Sequence, residues 1–139
     1  MERSGLKKII LILVLFHSSF VFADQKDSRL NSLFDELFLS NDNMQASTIL
    51  ADIWDIWSIA ENVEAQKIFD EGNKMMDRGS LEEAIALFTQ VIDIKPDFAE
   101  GWNKRATVLF LKGDLEASIS DIQKTLELEP RHFLSLIHI

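Results

Sequence analysis

Apolar residues recur along this chain with helical spacing, in blocks that follow a continuous apolar run near the N-terminus. Leu30, Leu33, Phe34, Leu37 and Phe38 fall at i, i+3, i+4, i+7 and i+8, the stripe of one helix face. Asn41, Asp42 and Asn43 interrupt the stripe as a turn. Ala46, Ile49, Leu50, Ile53, Trp54 and Trp57 then resume the same spacing, which predicts a helical hairpin over residues 27–60. From residue 65 onward the pattern also repeats itself. Set against residues 99–132 at an offset of 34, residues 65–98 align Ala65 with Ala99, Gly79 with Gly113, Leu81-Glu82 with Leu115-Glu116, Ile85 with Ile119, and Pro96 with Pro130. The pairs Ile68/Trp102, Gly72/Ala106, Met75/Leu109, Ala84/Ser118 and Phe88/Ile122 match in kind.

Each matched position has a mechanical reading. Gly72 and Ala106 are placed where two helices of a hairpin cross, with Ala84 and Ser118 as the small residues facing them. Ile68, Met75, Trp102 and Leu109 fill the space between. Gly79 and Gly113 predict left-handed caps ending the first helix of each unit. Ser80 with Glu83 reads as a capping box and Asp114 as the equivalent cap one unit on. Pro96 and Pro130 stop the second helices, and Asp97 with Glu100 is expected to open the helix that follows.

These residues resemble the tetratricopeptide repeat family, whose unit is a 34-residue helix–turn–helix; the resemblance covers residues 65–130. It implies an all-α fold in which the hairpins stack as a short right-handed α-solenoid. Departures from the family pattern are Glu71 and Arg105 where a leucine is usual, and Met75 or Leu109 for the usual tyrosine. A pairable edge position can carry either charge. The expected organisation is a first repeat over 63–98, a second over 99–132, and residues 24–62 as an N-terminal hairpin, either a capping unit or a degenerate repeat. Phe34 falls in the slot reserved for a small residue, which favours a cap covering the apolar side of the first repeat. Residues 133–139 read as a truncated third repeat or as adapter-derived sequence, since Leu134–Ile139 (LSLIHI) resembles a translated sequencing-library adapter; on this reading the chain is a fragment.

Residues 1–23 differ from all of this. Arg3, Lys7 and Lys8 precede the apolar run Ile9–Phe16, and Val21-Phe22-Ala23 offers a cleavage site, the three-part design of a secretory signal removed after Ala23. An uncleaved anchor is the alternative, although the run is shorter than the roughly 20 residues of a membrane span. Cleavage predicts a periplasmic or secreted protein with no stable membrane insertion. The whole chain of 139 residues has a net charge of −9, and loss of residues 1–23 leaves about −11. That charge argues against nucleic acid as a partner.

The chain has no cysteine and three histidines, of which His17 lies in the signal and His138 in the tail. His132 alone assembles neither a histidine-paired nucleophile nor a histidine-rich metal site. No metal, cofactor or catalytic residue is predicted. Acidic residues such as Asp70, Glu71, Asp77, Glu82 and Glu83 read as solvated helix faces, leaving a carboxylate hydrolase a distant third reading. The resemblance implies instead a concave groove lined by the first helix of each repeat. By motif position its residues would be Gln66, Phe69, Asn73 and Met76, with Asn103, Thr107 and Phe110 from the second unit. Amides beside exposed aromatics and methionine suit capture of a protein or peptide, unless Met76 and Phe110 pack inward. Phe69 and Lys104 stand where a carboxylate clamp would need lysine and asparagine, which disfavours a chaperone-tail ligand. Gly101–Thr107 and Glu129–Phe133 resemble small exported repeat proteins of alphaproteobacteria. The leading expectation is a non-catalytic periplasmic adaptor; the alternative is a structural subunit of a cell-envelope assembly that uses the Trp54/Trp57 face.

Overall fold

A computed structural model describes residues 27–132; the signal-like segment and the adapter-like tail lie outside the described residues. The described chain is six helices: α1 (Arg29–Leu39), α2 (Asn43–Trp57), α3 (Val63–Asp77), α4 (Leu81–Ile94), α5 (Ala99–Lys112) and α6 (Leu115–Leu128). Consecutive helices pack as α3 on α4, α4 on α5, and α5 on α6, which is a two-hairpin solenoid; α1 packs on α2 as a separate hairpin. No helix among the described residues is long and apolar enough to cross a membrane.

The predicted crossings are present. An ideal Cβ on Gly72 would lie 2.7 Å from Cε1 of the buried Phe88 ring, so that ring occupies the space a side chain at this position would need. In the second unit, Ala106 carries the crossing and the Ser118 hydroxyl donates to its carbonyl at 2.8 Å. Gly72→Val should therefore lower stability by about 2 kcal/mol, overpacking outweighing the better helix propensity, as read from a urea melt. A neutral result would mean that the Phe88 ring has room to move.

Gly79 (φ 74) and Gly113 (φ 90) both adopt the left-handed conformation. Each closes its helix by paired backbone bonds, Ser80 N–H to Met75 and Gly79 N–H to Met76 in the first unit, Asp114 N–H to Leu109 and Gly113 N–H to Phe110 in the second. Asp114 caps α6 as expected, accepting from the Ala117 amide at 3.4 Å. Ser80 does not cap α4: its side chain makes no capping bond although its backbone (φ −79, ψ 70) matches that of Asp114, because the serine hydroxyl is one bond shorter than a carboxylate that itself reaches only to 3.4 Å. Nor does Asp97 cap α5. Phe98 takes the position before the helix and buries its ring edge-on to Phe69 at 5.1 Å, while Asp97 pairs with Lys95 at 2.8 Å. Burial of a ring outweighs an exposed cap here. Glu82, at the start of α4, is held below the usual carboxylate range by its own backbone amide and by Lys112 across the α4/α5 junction.

The solenoid core joins Ala65, Phe69, Ala84, Phe88, Val91, Phe98 and Val108, with Ile68, Met75 and Met76 packed at its margin. A second core, in the hairpin, comprises Leu30, Ile49, Ile53, Ile56 and Trp57, flanked by Leu33, Phe34, Leu37 and Trp54. Asp27 opens α1 by accepting from both the amide and the guanidinium of Arg29, which lowers its carboxyl to about 2. Phe38, placed on the apolar stripe by periodicity, is 90% exposed at the end of α1, beyond the reach of α2.

The hairpin does not cover the apolar side of the first repeat, as a cap would. The turn after α2, with Glu61 at φ 53, carries the chain elsewhere. The Trp57 ring stacks on His132 at 4.0 Å and 18°, Trp54 meets His132 edge-on at 5.3 Å, and Arg131 lies 4.8 Å over Phe34 while donating to Asn31 at 2.9 Å. The two tryptophans thus belong to a core, built against the loop that follows α6. The face of α3 and α4 turned away from α5 stays bare, with Val63 90% and Ile59 51% exposed.

Candidate functional site on the first helices

The seven residues predicted to line the concave face lie on α3 and α5, but the fold does not leave them equally accessible. Phe69 is 1% exposed, wedged between Phe88 and Phe98 in the solenoid core. It holds repeats together and is removed from the candidate ligand surface. Its position in the repeat points it toward the groove, yet the bulk of Phe98 at the start of α5 gives it an apolar partner instead. Asn103 is 5% exposed, and its amide donates to Glu100 at 2.9 Å. Gln66 accepts from the Ala60 amide at 2.8 Å and donates to Asp70 at 3.0 Å, so it fastens the segment that enters α3.

The remaining four are more open. Met76 packs half-buried at the margin of the core, and Phe110 is 39% exposed. Thr107 is half-buried and its hydroxyl donates to the Asn103 carbonyl at 3.0 Å, a bond within its own helix that leaves lone pairs available. Asn73 is half-buried, and its amide oxygen, like that of Asn103, is buried without a hydrogen-bond partner in the described structure. A buried acceptor left unmet costs about 1–3 kcal/mol, and a bound chain reaches this one only once the Asn73 side chain turns outward.

His132 was the residue least readable from sequence. It is fully buried, its Nε2 lies 2.9 Å from Oε2 of the fully buried Glu100, and Glu100 in turn takes the Asn103 amide and faces Lys104 at 3.6 Å. A chain of contacts thus runs from Trp57 through His132 and Glu100 to Asn103, and seats the N-terminal hairpin against the start of α5. Spacing could not reveal it, because the partners lie 75 and 32 residues before the histidine. Among the described residues no three of His, Asp and Glu gather as a metal site.

The larger cavity, of about 880 Å³, opens on the bare face of α3 and α4, and of the seven residues only Gln66 reaches it. Its walls include Ile59, Val63, Lys67, Ile68, Glu71 and Lys74, with Leu87 from α4.

Comparison with known proteins places the repeat. Residues 72–113 match the family described as TPR repeat, and residues 99–132 match the one described as tetratricopeptide repeat. The chain belongs to the tetratricopeptide repeat family. A TPR repeat-containing protein of Rhizobium etli is 34% identical over 108 residues, which are 78% of this chain and 53% of that protein. A tetratricopeptide repeat protein 36 homolog of Nematostella vectensis is 30% identical over 73 residues, 52% of this chain and 40% of its own length. DnaJ homolog subfamily C member 3 of Bos taurus is 31% identical over 68 residues, 49% of this chain and 14% of that protein. The chain therefore spans about half the length of the Rhizobium relative, and less of the other two. No solved structure matches it. As a tetratricopeptide repeat protein, it has a fold that serves protein–protein interaction.

Proposed function

We propose that this protein is a non-catalytic periplasmic adaptor that holds an extended peptide or protein segment along the Asn73, Met76, Thr107 and Phe110 half of its concave face. The observation that carries this reading is the half-buried Asn73 amide beside half-buried Met76 and, on the neighbouring helix, the part-exposed ring of Phe110. A side-chain amide next to soft apolar surface suits capture of a main chain with one apolar side chain. Phe69 no longer belongs to this set. Asn103 stands apart from it, because its amide is held by Glu100 and its oxygen is buried. The secretory pattern of residues 1–23 supports export, and the negative charge supports a protein partner rather than nucleic acid.

The alternative, an envelope-assembly subunit docking through Trp54 and Trp57, has less in its favour. Trp57 is fully buried against His132 of the same chain, so that face is spent internally. The test is capture from a periplasmic extract by the full-length protein expressed with its signal. Asn73→Ala with Phe110→Ala should reduce recovery of any saturably bound partner about tenfold, while the helical melting curve stays in place. Mass spectrometry of the same material should find Asp24 as the first residue. Recovery that is indifferent to both substitutions removes the groove from the proposal, and a retained N-terminus removes the cleavage.

A further inference from the structure

The internal repeat says what the bare face of α3 is shaped to receive. At the offset of 34, the wall residues Glu64, Lys67, Ile68, Glu71 and Lys74 are the counterparts of Phe98, Gly101, Trp102, Arg105 and Val108. That second set runs along the start of α5, and α4 covers it at Gly101, Arg105 and Val108. A Cβ on Gly101 would meet Val91 at 3.2 Å and Ile92 at 3.7 Å, the Arg105 guanidinium donates to the Thr89 hydroxyl at 3.0 Å, and Val108 is fully buried in the same core as Val91. On α3 Glu64, Lys67 and Lys74 are exposed and Ile68 and Glu71 half-buried around the cavity of about 880 Å³, which shares Glu71 and Leu87 with a second one of about 340 Å³.

The chemistry at the two levels differs in one informative way. Arg105 has two partners, Asp121 on the following helix and Thr89 on the preceding one. Its counterpart Glu71 faces Leu87 where Arg105 finds Asp121, and the following helix, which has no lysine or arginine, offers it no cation. Glu71 pairs with Lys74 on its own helix, at 3.1 Å and largely exposed. The cavity wall carries Glu61, Glu64, Asp70 and Glu71 against Lys67 and Lys74, an acidic excess around an apolar floor of Ile59, Val63, Ile68 and Leu87.

We infer that this face is a second docking surface, which receives an amphipathic helix of a partner protein laid along α3 as α4 lies along α5, with a lysine or arginine at the place of Thr89 to meet Glu71. The helix must also be small where Val91 stands, because Lys67 replaces the glycine that lets Val91 come close. The inference is independent of the concave groove.

A probe can be built from the protein itself: a peptide of residues 81–94 carrying Thr89→Lys and Val91→Ala, stapled across the exposed positions 86 and 90 because so short a helix does not hold alone. The full-length protein should bind it saturably in a fluorescence-anisotropy titration, and should bind the version that keeps Thr89 about fivefold more weakly. Glu71→Lys, and separately Val63→Asp, should each weaken binding of the lysine peptide about tenfold or more, since one reverses the charge and the other wets the apolar floor. Both positions are open enough to accept these changes without unfolding, which circular dichroism checks. Asn73→Ala with Phe110→Ala should leave this binding unchanged. Absence of saturable binding, or equal binding by the Glu71→Lys protein, would overturn the inference. Two further results would overturn it by naming another occupant: self-association by sedimentation that Val63→Asp abolishes, or peptide binding that appears only after residues 1–26 or 133–139 are deleted.

Discussion

Arg105→Met is expected to remove about 3 kcal/mol of folding stability. The guanidinium donates from Nε and Nη2 to the two oxygens of Asp121 at 2.7 and 2.9 Å, a bidentate pair whose side chains are 19% and 6% exposed. Its Nη1 reaches Thr89, and its plane lies 5.1 Å over Trp102. One side chain thus ties α4, α5 and α6. Removing it leaves the Asp121 carboxylate buried without its cation, and that loss of compensation, rather than the loss of one attraction, sets the size of the effect. The first repeat supplies the control, since Leu87 occupies the register of Asp121 without any ion pair. Arg105→Met combined with Asp121→Leu should therefore recover to within about 1 kcal/mol of the unmodified protein in guanidinium melts. Thr89 remains satisfied in the double variant, because its own hydroxyl donates to the Ile85 carbonyl at 2.8 Å. A double variant as unstable as the single one would show that Arg105 acts by packing on Trp102 and not by charge.

The same comparison explains what the sequence could and could not reveal. Gly72, Ala84, Ala106 and Ser118 were legible because a helix crossing tolerates nothing larger at a fixed spacing, and the structure keeps all four buried. Gly79 and Gly113 were legible because a left-handed cap has one cheap occupant. These constraints are local or recur every 34 residues. The caps at Ser80 and Asp97 failed for reasons that are also local: one hydroxyl was too short for a backbone from which the longer Asp114 carboxylate just reaches, and one position went to a buried phenylalanine. Phe69 failed because a motif position says which way a residue points, not what the neighbouring repeat places in front of it. Arg105 could be read as pairable, though nothing in its spacing named Asp121. The seating of the hairpin was the least legible feature. It depends on Trp57 finding His132 and on Phe34 finding Arg131, contacts made once, between segments about 75 and 97 residues apart, with no periodicity to announce them.

That seating can be undone separately from the solenoid. Trp57→Ala should strip the hydrogen-exchange protection of α1 and α2 while α3 to α6 keep theirs. Trp57 is fully buried, stacks on His132, meets Trp54 edge-on at 5.3 Å and Phe34 at 5.9 Å, and so holds the hairpin core and its docking contact in one side chain. Truncating a buried tryptophan costs about 3–5 kcal/mol, and two hydrophobic cores are available to bear that loss. The solenoid core contains no residue of α1 or α2, and the extensive helix contacts join the hairpin only to itself. A pair of helices of 11 and 15 residues with a single small core has little stability of its own, so the loss should appear as local opening and not as a lower global melt. Amides of Ile49 to Trp57 would then exchange at least about a hundredfold faster, the factor that roughly 3 kcal/mol of local opening allows. Amides of Phe88 to Ile92 would exchange as before. Equal acceleration in both places would mean that the hairpin is part of the solenoid's cooperative unit after all. Trp57→Phe keeps a ring to stack on His132 and should restore most of the protection, which distinguishes the lost stack from a disturbed turn at Glu61.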